Sequence, residues 1–94
     1  DYGSAVALSA ILTDMPLEVG SPITDSFCDE CEECQKACPV DAINPTKWNS
    51  RLTRDDIIDI KTCSEYVIDQ YKAGLGCSKC LCYCRLTQDY FNSI

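Results

Sequence analysis

The sequence predicts a small α+β domain that is mostly helical and irregular and is held together by its cysteines more than by a large apolar core. The chain has 94 residues, nine of which are cysteine and none histidine. Eight of the cysteines fall in two dense groups, within residues 28–38 and 77–84. A domain of this length buries little apolar surface and usually needs a staple. We therefore expect the cysteines to be structural as well as functional.

At the amino terminus, residues 4–13 predict a strand with two apolar faces. One face carries Val6, Leu8, Ala10 and Leu12, and the other carries Ala5, Ala7, Ser9 and Ile11. Such a strand needs a sheet around it, which no other stretch supplies. We therefore predict that residues 1–20 are a strand and linker left from an upstream domain, followed by the main domain over residues 21–94. The Ala-rich composition leaves a helix as the alternative.

The most informative stretch is the run Cys28-Asp-Glu-Cys31-Glu-Glu-Cys34-Gln-Lys-Ala-Cys38 and the Pro39 after it. Its spacing, C-x2-C-x2-C-x3-C-P, is typical of bacterial [4Fe–4S] sites. Each iron corner of the cube needs a soft thiolate, and two-residue gaps let one loop supply three. Cys38 lies about one helical turn further on and ligates another cluster in two-cluster proteins. Pro39 is expected to end the helical turn.

Two alternatives to iron–sulfur chemistry follow from the same cysteines. Composition alone would also suggest a disulfide scaffold, and two four-thiolate zinc sites are a structural alternative. The absence of histidine excludes His-containing zinc sites, Rieske centres, His-ligated haem and Ser–His or Cys–His catalysis.

The strongest helical pattern begins at Thr53, where Thr53-x-x-Asp56 resembles a capping box. Apolar residues recur from Ile57 to Tyr71 with helical spacing, and Gly74 is a suitable stop. The segment forms either one helix or two pieces broken near Cys63. A further short helix is expected over residues 85–94.

The last cysteine group, Cys77-Ser-Lys-Cys80-Leu-Cys82-Tyr-Cys84, is similar to the second half of a two-cluster ferredoxin. Such a half usually has one more cysteine close by. Cys63, on the apolar side of the predicted helix, can replace it from upstream.

The formal net charge of −7 argues against direct binding of nucleic acid or of an anionic membrane. It suits docking to a basic patch on a redox partner, although a merely solvated acidic surface explains it equally well. The apolar stretch Ala5–Leu12 is too short to span a bilayer. Reduced, metal-bound cysteines favour a cytoplasmic protein.

Several motifs together resemble the carboxy-terminal part of epoxyqueuosine reductases and corrinoid reductive dehalogenases. They are Leu12-Thr-Asp-Met-Pro-Leu17, Phe27-Cys28, the four-cysteine run, Ala42-Ile43, Cys63-Ser-Glu-Tyr66 and Gly76-Cys77-x2-Cys80. The likeness covers nearly the whole chain in the same order.

The resemblance implies a ferredoxin-like domain with two [4Fe–4S] clusters that follows a cobalamin-binding catalytic domain. By position, it implies that one cluster is held by Cys28, Cys31, Cys34 and Cys84 and the other by Cys38, Cys63, Cys77 and Cys80. The implied partners are a low-potential electron donor and a catalytic domain or redox partner. Cobalamin would belong only to an upstream domain, and no catalytic residue can be placed in this chain. The expected function is an electron-transfer module, with a fragment of a cobalamin-dependent reductase as the alternative.

Two positions depart from the pattern of that group. Arg85 follows Cys84 where a proline is usual, and Cys82 is an additional thiol between Cys80 and Cys84. Cys82 could therefore compete with Cys84 as a ligand, which leaves a three-cysteine [3Fe–4S] centre or a lost site as alternatives.

Overall fold

The computed structural model describes residues 3–94, which form short helices joined by irregular segments. The described helices are α1 (Glu33–Ala37), α2 (Arg54–Ile57), α3 (Ile60–Lys72), α4 (Lys79–Cys82) and α5 (Arg85–Ser93). Within these residues the single β-type contact is an isolated antiparallel bridge between Ile43 and Ile58. The prediction of a small, mostly helical and irregular domain is thus confirmed in its coarse form.

The strand predicted over residues 4–13 is not formed. Residues 5–14 have no regular secondary structure, so the helical alternative is not formed either. A strand needs a neighbour for its N–H and C=O groups, and the described chain provides none. Leu8 and Leu12 are 93% and 98% exposed as a result. The first two residues of the predicted 1–20 segment lie outside the described part of the chain.

Helix α1 ends where Pro39 predicts, with Cys38 as its carboxy-terminal cap. The Cys38 N–H donates to the Gln35 carbonyl over 3.3 Å, and the chain then turns through Asp41, which has a positive φ of 52°. This turn brings the Ala42 N–H to within 3.2 Å of the Cys38 sulfur. The helix end therefore determines where Cys38 lies.

The helix predicted from Thr53 is two helices, broken at Ile58–Asp59 and not near Cys63. The cause is the bridge to the loop after Cys38. There the Asn44 N–H donates to the Ile57 carbonyl and the Asp59 N–H donates to the Ala42 carbonyl, each over 2.8 Å. These bonds use backbone groups that a continuous helix would need for its own ladder.

Side chains cap both pieces. The Asp56 carboxylate accepts the Thr53 N–H over 2.8 Å, which is the reciprocal bond of a capping box. The Asp59 carboxylate accepts the Thr62 N–H over 3.1 Å at the start of α3. Hydrogen bonds from the Thr53 backbone and hydroxyl lower the pKa of Asp56. The predicted start at Thr53 is therefore confirmed.

Helix α3 ends as predicted near Gly74, which has a φ of +77°. The Gly74 N–H donates to the Tyr71 carbonyl over 2.9 Å, and the Leu75 N–H donates to the Gln70 carbonyl over 2.8 Å. This pair of bonds is a Schellman motif, in which glycine accepts the left-handed conformation without a Cβ clash. The following segment then returns the chain to α4.

The interior is small. Helix α1 contacts α4, and α4 contacts α5. Among the described residues only Ala42 and Thr87 are fully buried. The radius of gyration is 15.7 Å, compared with roughly 12 Å for a typical compact domain of this length. None of the described helices is long and apolar enough to cross a bilayer.

Candidate iron–sulfur centre

The first group of cysteines surrounds a cavity of about 280 Å³. Cys28 and Cys31 come from the loop before α1, Cys34 from the first turn of α1, and Cys84 from the residue before α5. Apolar side chains, among them Phe27, Ile43, Ile57, Leu81 and Leu86, complete the wall. A backbone hydrogen bond closes the turn between the first two cysteines, since the Cys31 N–H donates to the Cys28 carbonyl over 2.8 Å. We call this set, Cys28, Cys31, Cys34 and Cys84, the first cysteine group.

The thiols of this group interact electrostatically. Burial raises the pKa of Cys34, a hydrogen bond with the Gln35 backbone opposes that effect, and neighbouring Cys28 and Cys31 raise it further. The negative charge of a Cys34 thiolate is thus disfavoured by the thiols beside it, and a bound cation would stabilise it. The soft donor set around an apolar cavity fits the iron–sulfur cluster that the sequence motif indicates.

The remaining predicted ligands form a second set, which we call the second cysteine group: Cys38, Cys63, Cys77 and Cys80. Burial raises the pKa of Cys63, and the charges of Cys38 and Cys77 raise it further. Burial likewise raises the pKa of Cys80, to which Cys63 and Cys77 add. Cys63 is thus within electrostatic range of Cys38 and Cys77, and Cys80 is within range of Cys63 and Cys77, although these thiols come from three different segments of the chain.

Cys80 borders both groups, because its residue also lines the first cavity. Helix α4, which carries Cys80, therefore contributes to both groups. Within the described residues no three Cys, Asp or Glu side chains are arranged so that they could hold a single metal ion. The thiols of the first cysteine group border a cavity instead.

Cys82 lies apart from both groups. It is exposed, and its sulfur is 3.5 Å from the Ser78 hydroxyl oxygen. It lines a separate groove between the amino-terminal segment and α5, together with Gln88 and Phe91. None of the nine cysteines is in a disulfide.

Cys84 has the most distinctive environment of the nine. Partial burial raises its pKa, but hydrogen bonds from the Thr87 backbone, from the side chain and backbone of Ser4, and from the Leu86 backbone lower it to about 7. Two of these donors belong to the first turn of α5, where free N–H groups favour a thiolate. The third comes from the opposite end of the chain.

Two cations contact the loop of the first cysteine group. The Lys47 ammonium donates to the Cys31 carbonyl over 2.5 Å. The Arg85 guanidinium donates to the Phe27 carbonyl over 3.3 Å and lies 3.5 Å from the Asp29 carboxylate. Arg85, which directly follows Cys84, therefore contacts both residues that flank Cys28. Sequence reasoning missed Lys47 and Ser4, since no local pattern marks a contact with a cysteine so distant along the chain.

Comparison with known proteins agrees with this chemistry. The 4Fe–4S binding domain family matches residues 22–44, which include the cysteine run. The chain is 30% identical over 94 residues to an epoxyqueuosine reductase of Bacillus subtilis and 29% identical over 90 residues to one of Listeria monocytogenes. It is 26% identical over 96 residues to a tetrachloroethene reductive dehalogenase of Sulfurospirillum multivorans.

These matches cover 94%, 89% and 94% of this chain, but only 23%, 23% and 19% of the respective relatives. The chain thus spans less than a quarter of their length. No solved structure matches it.

Proposed function

Since the chain carries a 4Fe–4S binding domain and is related to a segment of epoxyqueuosine reductases and a reductive dehalogenase, we propose that it is an electron-transfer module with two [4Fe–4S] clusters. The observation that carries the proposal is the apolar cavity of about 280 Å³ bordered by the first cysteine group. When bound, the clusters would supply one-electron reduction and oxidation.

Each cluster is assigned four ligands. Cys28, Cys31, Cys34 and Cys84 hold the first, in line with the cavity that they border. Cys38, Cys63, Cys77 and Cys80 hold the second, in line with their electrostatic coupling. The exposure of Cys82 and its position in a separate groove support its role as a spare thiol.

The other residues of the chain bind, orient and shield. Apolar side chains such as Ile43 and Leu86 exclude water from the first cavity, and solvent exposure is one determinant of a cluster's potential. The Ala42 N–H donates to the Cys38 sulfur, which stabilises added negative charge. Three acidic residues of the loop that carries Cys28 and Cys31, and Glu33 at the start of α1, add negative charge beside the first cluster and lower its potential; the loop residues are Asp29, Glu30 and Glu32.

The proposed partners are a low-potential electron donor protein and a catalytic domain or redox partner.

The alternative function is that of a fragment of a cobalamin-dependent reductase. It is favoured by the exposed apolar side chains of residues 5–20. An upstream domain that supplied a sheet edge would cover them. We retain residues 1–20 as a linking segment and residues 21–94 as the iron–sulfur domain. Reduced cysteines that bind a cluster suit a reducing compartment such as the cytoplasm.

Iron, acid-labile sulfide and zinc measured on one anaerobically purified sample test the proposal. We expect about eight irons and about eight sulfides per chain, with no stoichiometric zinc. About four of each would mean that a single cluster is held and would contradict the two-cluster assignment. Zinc without sulfide would replace the redox function with a structural one.

The contact of Arg85 with the cysteine loop leads to a second prediction. Arg85→Ala should release iron to a chelator up to about fivefold faster, because an exposed ion pair and its hydrogen bonds stabilise by about 0.2–1 kcal/mol. Arg54→Ala is the matched control, since it removes the exposed ion pair to Asp55 at 2.9 Å, which does not border the first cavity. Equal release rates in the two variants would contradict a clamping role for Arg85.

A further inference from the structure

We propose that Lys47 is a positioning residue of the first cysteine group, which holds a positive charge beside Cys31 and raises the reduction potential of the cluster bound there. The inference rests on the proposed function, because it concerns a cluster that this function requires. It adds a residue from outside the cysteine run that determines how readily this cluster accepts an electron.

The Lys47 side chain reaches the cysteine loop from 16 residues away and donates to the Cys31 carbonyl over 2.5 Å. That carbonyl lies outside α1, whose amino-terminal cap is Glu32, and the Glu32 carbonyl accepts the Lys36 N–H over 3.1 Å. Among the described residues no backbone N–H donates to the Cys31 carbonyl. Lys47 therefore supplies the hydrogen bond that the helix does not provide at this position.

The loop that carries Lys47, residues 45–52, is held at both ends by the same residue. On one side the Asn44 side-chain amide donates to the Asp56 carbonyl over 3.2 Å. On the other side the Thr53 N–H donates to the Asp56 carboxylate over 2.8 Å. Because the loop is closed in this way, less conformational entropy is lost when the Lys47 ammonium settles on the cysteine loop.

The positive charge of Lys47 is not neutralised by a neighbouring carboxylate. In the part of the chain that the structure describes, no carboxylate forms an ion pair with its ammonium. Arg85, the other cation at this loop, is paired with Asp29 over 3.5 Å. Lys47 is also half-buried, whereas the acidic residues of the loop are exposed, so water and salt screen the acidic charges more strongly.

The charge lies close enough to a ligand sulfur to act on the cluster. A carbonyl oxygen and the sulfur of the same cysteine are joined through three carbon atoms, so the ammonium lies within about 8 Å of the Cys31 sulfur. That distance is about one Debye length at physiological ionic strength. The reduced cluster carries one more negative charge than the oxidised form, and a positive charge at this distance stabilises it.

A redox titration followed by electron paramagnetic resonance, on the full chain purified anaerobically, tests the inference. Lys47→Gln keeps a side-chain N–H donor but removes the charge. We expect one of the two cluster midpoints to fall by up to about 59 mV, which is a tenfold change in the one-electron equilibrium. Lys47→Arg keeps the charge and should retain the native midpoint. Arg51→Gln, at an exposed cation of the same loop, is the control and should change neither midpoint.

A third substitution separates the charge from the hydrogen bond. Lys47→Met removes both, so its midpoint should fall as far as that of Lys47→Gln. A native midpoint in Lys47→Gln, with a fall in Lys47→Met alone, would assign the effect to the hydrogen bond and overturn the role of the charge. Iron and sulfide are measured on the same samples. If Lys47→Gln loses a cluster, its retention in Lys47→Arg supports the inference, and loss in both overturns it.

The outcomes distinguish this inference from the proposed function. Two intact clusters with native midpoints in both Lys47→Gln and Lys47→Met overturn the role of Lys47 and leave the electron-transfer function standing. A native sample without iron and sulfide overturns the proposed function itself, and the inference with it.

Discussion

Replacing Cys34 with alanine is expected to lower the iron content from about eight to about four per chain, because one cluster loses a ligand from the centre of its motif. Cys34 is half-buried in the first turn of α1, where it joins the loop cysteines to the helix that contacts α4. Loss of that cluster should also remove much of the fold around α1. Iron and sulfide analysis, with far-ultraviolet circular dichroism on the same sample, measures both effects.

Cys82→Ser is the matched control for this experiment. Cys82 is exposed and lies outside the first cavity, so the iron content of the Cys82→Ser variant should equal that of the native protein. An unchanged iron count in Cys34→Ala would mean that Cys34 is not a ligand. A loss of iron in Cys82→Ser would mean that Cys82 ligates a cluster in competition with Cys84.

Removal of both clusters is expected to unfold most of the domain. The fully buried residues of the described chain are Ala42 and Thr87, while large apolar side chains such as Leu75 and Phe91 are more than half exposed. So small an interior cannot offset the conformational entropy of about ninety ordered residues. The cysteine groups join distant segments instead, and metal-binding free energy then becomes folding free energy.

To test this, the clusters are removed with an iron chelator under anaerobic conditions, with the thiols kept reduced, and circular dichroism is measured before and after. We expect most helical ellipticity and the cooperative thermal transition to be lost, and both to return when iron and sulfide are added back. Helix α3 is the longest element, and its caps at Asp59 and Gly74 allow it some residual structure. A cluster-free protein that melts cooperatively with native ellipticity would show that the polypeptide folds without its cofactor.

The predictions that succeeded depend on residues close together in the sequence. Pro39 ends α1, Asp56 caps the start of α2, and Gly74 ends α3. Each of these signals acts through a backbone hydrogen bond or a φ preference within a few residues. The carboxy-terminal helix was likewise expected and is α5.

The predictions that failed depend on partners that lie elsewhere in space. The alternating pattern of residues 4–13 favours a strand, but the described chain has no sheet to accept it. The helical pattern after Thr53 gives no sign of its break, because the break results from hydrogen bonds between Ala42 and Asp59 and between Asn44 and Ile57. In the second case a tertiary contact outweighed the local helical propensity, whereas in the first case the described chain offers no partner strand for the segment to pair with.

The sequence by itself determined the chemistry of this protein. The chain has nine cysteines and no histidine, and its Cys28–Pro39 spacing is that of a [4Fe–4S] motif. These features indicate thiolate ligation of the four iron corners of a cluster, whatever the arrangement of the segments in space. Only the tertiary structure decided which segments enclose that chemistry. It brought Cys84, which the resemblance had paired with Cys28 without any geometry, to the cavity that Cys28 also lines, left Cys82 outside that cavity, and brought Ser4 to a contact 83 residues away at Thr87. The physical reason is that the type of ligand is a property of each side chain. Which segments enclose a cluster depends instead on loop closure and packing, and no local sequence pattern reveals these.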